Sequence, residues 1–142
     1  MILADVNVLI YAFRVDSPRH AVCKRWLDGV IRGDAQFGVT TLALSAVARI
    51  VTNPRAFPQP SPIEEVFAYC ENLMSQPHCT IVSPGERHWA IFTRICAEAG
   101  IRGPKITDAW FAAVAIEHSC TWITFDRDYA RFPELDWREP DV

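Results

Sequence analysis

The stretch MILADVNVLI, residues 1–10, contains both the first structural element and the first candidate site residue of this chain. Its residues 2–6 predict a short buried strand, and the apolar residues 8–11 predict that a helix follows. Asp5 interrupts the apolar run where the strand ends, and an unpaired charge is costly to bury there. The stretch therefore predicts a strand-to-helix junction that carries a carboxylate.

The rest of the chain repeats this alternation of strands and helices. Apolar runs predict further strands at 37–39, 78–82 and 121–124. Helical spacing predicts helices over 18–32, 41–52, 62–74, 84–99, 108–117 and 126–131. Thr107 and three Ser-Pro pairs, at 17–18, 61–62 and 83–84, are the predicted helix N-caps. Because such alternation joins parallel strands by crossovers, we predict an α/β fold, a three-layer helix–sheet–helix sandwich with a central parallel sheet of four to five strands.

Length and composition exclude several classes of protein. With 142 residues and no long linker or internal repeat, the chain is expected to form a single domain over residues 1–142. Five widely spaced cysteines without a C-x-x-C pair argue against a zinc ribbon or a disulfide framework. No apolar run approaches the roughly 20 residues of a membrane span, so we expect a cytoplasmic protein that does not contact a membrane. The net charge of −3 gives no overall attraction for nucleic acid.

Three aspartates occupy related places in the predicted fold. Asp5 and Asp126 follow the carboxyl ends of the first and last predicted strands, and Asp108 begins a helix. In an α/β sheet these places meet in one crevice. Carboxylates that close together repel by roughly 4 kcal/mol per pair at about 4 Å and an effective dielectric constant of about 20, so a cation is expected between them. Oxygen ligands favour Mg²⁺ or Mn²⁺, which can activate water and neutralise a phosphodiester.

These residues also have purely structural interpretations. Asp108 or Asp126 alone is equally well explained as a helix cap, whereas the aspartate after the first strand is harder to dismiss. Asp128 is either a fourth contributor or a solvated helix residue. Asn7 and Thr124 are either turn and cap residues or hydrogen-bond partners of the acids or of a substrate phosphate. Taken together, the three core aspartates favour a site.

Other chemistries find little support in the sequence. Four histidines show no metal-binding spacing, and G-x-S-x-G, P-loop and G-x-G-x-x-G motifs are absent. Arg102, Lys105 and Arg127 flank the acids in sequence and either contact phosphates or are solvated surface charges. Arg49, in an otherwise apolar helix, is either buried against a carboxylate or exposed on the outer face of the helix.

Four segments of the chain resemble the PIN-domain ribonucleases, and specifically the VapC toxins of bacterial toxin–antitoxin pairs. They follow the order and spacing of that family across nearly the whole chain: LADVNVLIYA (3–12), LSAVARIVTNP (44–54), ITDAWFAAVA (106–115) and TFDRDYARF (124–132). No single motif is decisive, but the ordered set is specific. The resemblance implies a PIN-like parallel sheet formed by a single PIN domain.

The resemblance also implies a function and its partners. The expected activity is Mg²⁺-dependent endonucleolytic cleavage of RNA by the toxin of a type II pair, with Mn²⁺ as an alternative ion. Asp5, Asp108 and Asp126 would be the catalytic and metal-binding residues, and Asn7, Thr124 and Asp128 would contact the substrate or support the acids. A VapB-type antitoxin and a homodimer are implied as well. Transfer RNA and ribosomal RNA are both candidate substrates for this family.

One position departs from the family pattern. Many members carry a glutamate three residues before the arginine of the second segment, and here that position is Ala46, with Ser45 beside it. Three carboxylates match one Mg²⁺ better than two, so we expect one metal, or a second that arrives with the substrate phosphate. The missing glutamate leaves an alternative open, a catalytically weak or inactive PIN-like binding or regulatory module.

A third interpretation is a phosphatase of the haloacid dehalogenase type, which also begins with an aspartate after the first strand. That class needs an acid where Asn7 stands and usually has a longer chain, so the sequence argues against it. Phosphatase assays on small phosphomonoesters would separate the two classes.

Overall fold

One parallel sheet forms the centre of the protein, which a computed structural model describes over residues 1–141. Its five strands are β1 (Ile2–Ala4), β2 (Phe37–Val39), β3 (Cys79–Ile81), β4 (Thr121–Ile123) and β5 (Trp137–Arg138). They lie in the order β3-β2-β1-β4-β5, and every neighbouring pair is parallel. The predicted parallel sheet of four to five strands is therefore confirmed with five. The fifth strand, only two residues long, was not among the individual strands predicted.

Six α-helices flank the sheet within the described residues 1–141. They are α1 (Val6–Phe13), α2 (His20–Arg32), α3 (Thr41–Val51), α4 (Ile63–Met74), α5 (His88–Ala99) and α6 (Ile106–Glu117). Helix α1 packs against α2 and α3, α3 packs against α4, and α5 packs against α6. The predicted α/β sandwich is thereby confirmed. Within residues 1–141, no helix is both long and apolar enough to cross a membrane.

The strand order reverses beside β1. The chain adds β2 and β3 on one side of β1 and then returns to its other side with β4 and β5. A crevice is expected at the carboxyl ends of the strands where the order reverses, because the connections there diverge to opposite sides. Asp5 directly follows β1 and Thr124 directly follows β4, so both residues stand at this point.

An aromatic stack beneath the crevice fixes the elements around it. Trp122 of β4 is fully buried, and its ring centroid lies 5.3 Å from that of Phe111 in α6. The ring centroid of Trp122 also lies 5.6 Å from that of Tyr129, which is in the short 3₁₀ turn Arg127–Arg131. Burying such large rings contributes roughly 2–3 kcal/mol each. The stack therefore holds the middle of α6 and the turn after β4 in fixed positions relative to the sheet.

The predicted helix starts need correction. Helix α2 begins at His20 rather than at residue 18, because the Ser17 hydroxyl accepts a hydrogen bond from the Arg19 amide in a preceding turn. Helix α4 begins at Ile63 with proline at the N-cap and no side-chain cap. Its predicted cap, Ser61, instead accepts a hydrogen bond from the Arg14 guanidinium. A serine–proline pair is a local signal, and tertiary contacts displaced it in both places.

The start of α5 is displaced furthest, from the predicted residue 84 to His88. The carboxylate of Glu117, at the end of α6, accepts hydrogen bonds from the backbone amides of Gly85 at 2.7 Å and Arg87 at 2.9 Å. These bonds hold the segment before α5 in a non-helical turn. The predicted cap of α6 was also wrong by position, because Thr107 is the second helical residue and Lys105 is the N-cap.

The five cysteines are unpaired, and two histidines contact backbone carbonyl oxygens. The buried His88 places its Nε2 atom 3.0 Å from the Trp110 carbonyl oxygen, and the Nδ1 atom of His20 lies 2.9 Å from the Tyr11 carbonyl oxygen. These ring nitrogens therefore join α5 to α6 and α2 to α1.

Candidate active site

The three core aspartates that the sequence singled out line one cavity of about 300 Å³. Asp5 lies at the junction of β1 and α1, Asp108 in the first turn of α6, and Asp126 at the N-cap of the 3₁₀ turn after β4. The other wall of the cavity comes from α3, through Ala46, Arg49 and Ile50. The fold thus brings together residues that are up to 121 positions apart in sequence.

Asp5 is the most enclosed of the three, with only 6% of its surface exposed. Its Oδ1 atom accepts a hydrogen bond from the Val6 amide at 2.7 Å, which also caps α1. Its Oδ2 atom accepts one from the Thr124 hydroxyl at 2.6 Å and one from the Asn7 side-chain amide at 3.2 Å. The orientation of the carboxylate is therefore fixed by donors that follow β1 and by a donor that follows β4.

Thr124 connects two of the acids. Besides donating to Asp5, its hydroxyl oxygen accepts hydrogen bonds from the Asp126 amide at 2.9 Å and from the Asn7 side chain at 3.3 Å. Thr124 is fully buried. Both Asn7 and Thr124 thus contact the acids directly, which is one of the two roles that the sequence left open for them.

Electrostatic strain is concentrated on Asp5. Burial, together with the charges of Asp108 and Asp126, raises the pKa of Asp5 to about 6, although hydrogen bonds from Thr124 and Val6 act in the opposite direction. Burial also raises the pKa of Asp108, and the charge of Asp126 adds to that rise against the opposing effect of Lys105. Perturbation by burial and like charges is typical of functional sites.

Lys105 lies against the outer side of the acids. Its Nζ atom is 2.7 Å from Asp128 Oδ2, 3.6 Å from Asp108 Oδ2 and 4.0 Å from Asp126 Oδ2. Asp128 is about half exposed and also donates its backbone amide to Asp126 Oδ1 at 2.9 Å. It stands beside the cavity rather than in its lining, where its carboxylate binds the lysine.

The other basic residues are placed differently. Arg127 is largely exposed and pairs with Glu139 at 3.4 Å, away from the acids, and Arg102 is exposed. Arg49 is exposed, but it lines the acid cavity, so neither the buried position nor the outer-face position that its sequence left open describes it fully. No ion pair within residues 1–141 includes Arg49.

Ala46 lines the same cavity as the three aspartates. Its place on α3 is where the family resemblance implies a glutamate. The cavity wall opposite the acids therefore presents a methyl group and a guanidinium, and its carboxylates come only from the β1, α6 and β4 junctions.

The donor chemistry of the cavity fits a hard divalent cation. The available ligand atoms are oxygens, which Mg²⁺ and Mn²⁺ prefer. The Oδ1 atom of Asn7 is buried and accepts no hydrogen bond from the described residues, so an acceptor remains free beside Asp5. Within residues 1–141, no three acidic, histidine or cysteine side chains stand ready-arranged around a common ion position. The positive charge nearest Asp108 and Asp126 is the ammonium of Lys105.

The contact of Lys105 with the acids is a site feature that the sequence did not predict. Its separation of three residues from Asp108 was the only available signal, since residues at that spacing are neighbours on a helix. The contact with Asp128 spans 23 residues and depends on the tertiary fold.

Comparison with known proteins shows which family the chain belongs to. The sequence pattern of the PIN domain matches residues 2–135 of the chain. Ribonuclease VapC25 of Mycobacterium tuberculosis is 39% identical over 142 residues, which are 100% of both chains. Ribonuclease VapC31 of the same species is 41% identical over 142 residues, again 100% of both chains.

Solved structures share the fold at low sequence identity. VapBC2 from Rickettsia felis, bound to a DNA fragment from its promoter, contains a chain with a TM-score of 0.72 and 15% identity, covering 99% of this chain and 100% of that one. VapC20 of Mycobacterium tuberculosis, a toxin that cleaves the sarcin–ricin loop, has a TM-score of 0.66 and 14% identity, covering 92% and 93%. At these identities the likeness bears on the fold alone, and it confirms the PIN-like sheet.

Proposed function

The chain belongs to the VapC ribonucleases of the PIN-domain family, and on that premise we propose that it is a Mg²⁺-dependent endoribonuclease, the toxin of a type II toxin–antitoxin pair. The whole chain, residues 1–142, would act as a single PIN domain. The observation that carries the proposal is the set of three aspartates, from three separate junctions of the fold, that line one cavity.

Five residues at the cavity would have a role in the proposed reaction. Asp5, Asp108 and Asp126 would be the catalytic residues and would hold Mg²⁺, or Mn²⁺ in its place. The bound ion would supply positive charge to the phosphodiester and acidify a water molecule. Thr124 and Asn7 keep the Asp5 carboxylate in one orientation through hydrogen bonds of 2.6 and 3.2 Å.

The substrate would enter beside α3. Arg49 faces the cavity without an ion-pair partner among residues 1–141, and its planar guanidinium suits a phosphate oxygen pair. Since Ala46 adds no fourth carboxylate, three negative charges stand against the two positive charges of a single ion. We therefore propose one resident metal, with any second metal arriving on the RNA phosphate.

The partners follow from the family. The relatives are named ribonucleases, and solved structures with this fold come from VapBC complexes. We propose that RNA is the substrate, with transfer RNA and ribosomal RNA as the candidates. We further propose a VapB-type antitoxin as the inhibitor, a homodimer as the assembly, and the cytoplasm as the location.

The test uses purified protein, free of antitoxin, incubated with total RNA with and without Mg²⁺. We expect cleavage by the wild type in the presence of Mg²⁺ and none by Asp108→Asn, which keeps the shape of the side chain and removes its charge. Circular dichroism would establish that the variant is folded. Equal cleavage by the variant would disprove the assigned site.

A second candidate function is a PIN-like binding or regulatory module with weak or no catalysis. Two observations favour it: Ala46 stands in the cavity wall, and a lysine already neutralises part of the acid cluster. Calorimetry with Mn²⁺ separates the candidates, because the enzyme needs the ion. Absent Mn²⁺ binding together with absent cleavage would favour the module.

A further inference from the structure

Lys105 is built into the same turn as one of the acids that it contacts. It ends the 3₁₀ turn Gly103–Lys105 and is the N-cap residue of α6, whose first turn contains Asp108. Gly103 adopts a left-handed backbone, with a φ of 68°, and Pro104 follows it. A proline restricts φ, so the path of the chain into Lys105 has little freedom. The backbone therefore places the Lys105 side chain on one side of the acid cluster.

The lysine is the counter-charge of that cluster. Its Nζ atom lies within 4.0 Å of carboxylate oxygens from Asp108, Asp126 and Asp128. Among residues 1–141, no other lysine or arginine nitrogen approaches Asp108 or Asp126 that closely. An ammonium donates hydrogen bonds to oxygens in place of water, so it partly satisfies the same atoms that a divalent ion would use.

A divalent ion and this ammonium require overlapping space. Mg²⁺ binds oxygens at about 2.0–2.1 Å and keeps most of its water shell, so it fills the region in front of the oxygens that it binds. The oxygens nearest to Nζ on Asp108 and Asp126 are 3.6 and 4.0 Å away. An ion bound about 2.1 Å from either oxygen would therefore lie within roughly 6 Å of the ammonium, and the two cations would repel each other. Asp128, whose oxygen is only 2.7 Å away, anchors the lysine at this place.

We propose that Lys105 is a tethered competitor of the divalent cation. Its ammonium occupies the outer side of the acid cluster in the metal-free protein, and it must withdraw towards solvent when the ion binds to Asp108 and Asp126. Asp128 then acts through Lys105, as its anchor, and not as a metal ligand. This inference rests on the metal site of the proposed function and adds to it a built-in limit on metal affinity.

Calorimetric titration of Mn²⁺ into the metal-free protein tests the competition directly. We expect Lys105→Met, which keeps most of the length of the side chain and removes its charge, to bind Mn²⁺ about two- to fivefold more tightly, the range expected for an exposed charge pair. Lys105→Arg, which keeps the charge, should bind like the wild type. Lys24→Met is the matched control, because Lys24 pairs with Asp28 on α2 and is similarly exposed.

The outcomes separate this inference from the proposed function. Measurable Mn²⁺ binding by the wild type with equal or weaker binding by Lys105→Met would overturn the competition and leave the metal site standing. Failure of all four proteins to bind Mn²⁺ would overturn both. A tightening in Lys24→Met equal to that in Lys105→Met would reduce the effect to net charge and also overturn the inference.

Thermal unfolding provides a readout that does not depend on cleavage. Without metal, Lys105→Met should melt below the wild type, because Asp108 and Asp126 lose their ion-pair partner and Asp128 keeps only Arg131, at 3.9 Å. With saturating Mn²⁺ the difference should vanish, since the ion now neutralises the acids. An equal fall in melting temperature with and without Mn²⁺ would mean that the lysine is merely structural, and the inference would be wrong.

Discussion

Two buried carboxylates in this protein have opposite surroundings. Asp5, at the junction of β1 and α1, is 6% exposed, and Glu117, at the end of α6, is 9% exposed. The pKa of Asp5 is raised to about 6, by burial first and then by the charges of other acids. Burial acts in the same direction on Glu117, but hydrogen bonds from the Gly85 and Arg87 amides outweigh it and leave the pKa of Glu117 lowered.

The difference shows that burial of a charge does not by itself identify a site. Glu117 is matched by donors aimed at both of its oxygens, and a Cβ on Gly85 would lie only 2.8 Å from Oε2, so the loop is shaped around the carboxylate. Asp5 also accepts hydrogen bonds, yet it faces two like charges. A carboxylate held against repulsion has free energy to gain from a cation, whereas a satisfied one does not.

The largest effect should follow from removing the charge of Asp5. We expect Asp5→Asn to lower the rate of RNA cleavage in Mg²⁺ by at least about 100-fold. Loss of a residue that only supports a metal ligand costs about 10- to 100-fold, and Asp5 is proposed to bind the metal itself. The substitution keeps the fold, because the free Oδ1 atom of Asn7 can accept from the new amide after a flip of the Asn7 side chain. Initial rates on a labelled RNA would measure the loss.

Asp136→Asn is the matched control for that variant. Asp136 also accepts a hydrogen bond from a threonine hydroxyl, that of Thr121 at 2.5 Å, but it is exposed and lies beside no other acid named in the cavity. The Asp136→Asn variant should cleave RNA at the wild-type rate. A comparable loss in both variants would attribute the effect to the threonine contact and remove the distinction between the two kinds of carboxylate.

The sequence predicts much of what concerns Asp5. Asp5 interrupts an apolar strand, and the alternation of strands and helices indicates which strand ends share a crevice, so its convergence with Asp108 and Asp126 follows from topology. Periodicity also predicts most helices and strands. Strand β5 is the exception, because two residues are too short to show a period.

Glu117 and Lys105 could not be predicted in the same way. Glu117 caps a segment some 30 residues earlier in the chain, and nothing local distinguishes it from a solvated residue at a helix end. The serine–proline pair before that segment suggested a helix four residues too early for this reason. Lys105 reaches Asp128 only because the turn after β4 folds back onto the start of α6. Long-range polar contacts of this kind leave no periodic signal.

The dependence of stability on pH should distinguish the two carboxylates by sign. The pKa of Asp5 is raised in the folded state, so the folded protein binds a proton here more tightly than the unfolded chain. The stability from this group is present below about pH 4 and is lost as the pH rises to about 6, by at most about 3 kcal/mol, the free energy that corresponds to raising the pKa from 3.8 to about 6. Glu117, whose pKa is lowered, loses its contribution as the pH falls.

Urea unfolding of the metal-free protein between pH 4 and 7, with EDTA present, would measure this. The unfolding free energy of Asp5→Asn should rise relative to that of the wild type as the pH increases through this window, because asparagine does not titrate. A constant difference between the two proteins at every pH would contradict the raised pKa of Asp5 and, with it, the electrostatic strain that sets Asp5 apart from Glu117.

The smallest effect should come from Glu117→Gln, and it should appear in stability alone. Glutamine keeps one acceptor oxygen but turns an amide group towards an N–H donor, so the free energy of unfolding should fall by about 2 kcal/mol at neutral pH, as for lost hydrogen bonds to a charged group. Glu98→Gln, on exposed α5 surface, should change stability by less than about 0.5 kcal/mol. RNA cleavage well below the melting temperature should stay at the wild-type rate, because Glu117 lies outside the acid cavity. The stability difference should also shrink at acid pH, where the wild-type carboxylate becomes protonated; a difference that persists there would mean that the side chain acts through packing rather than through its charge.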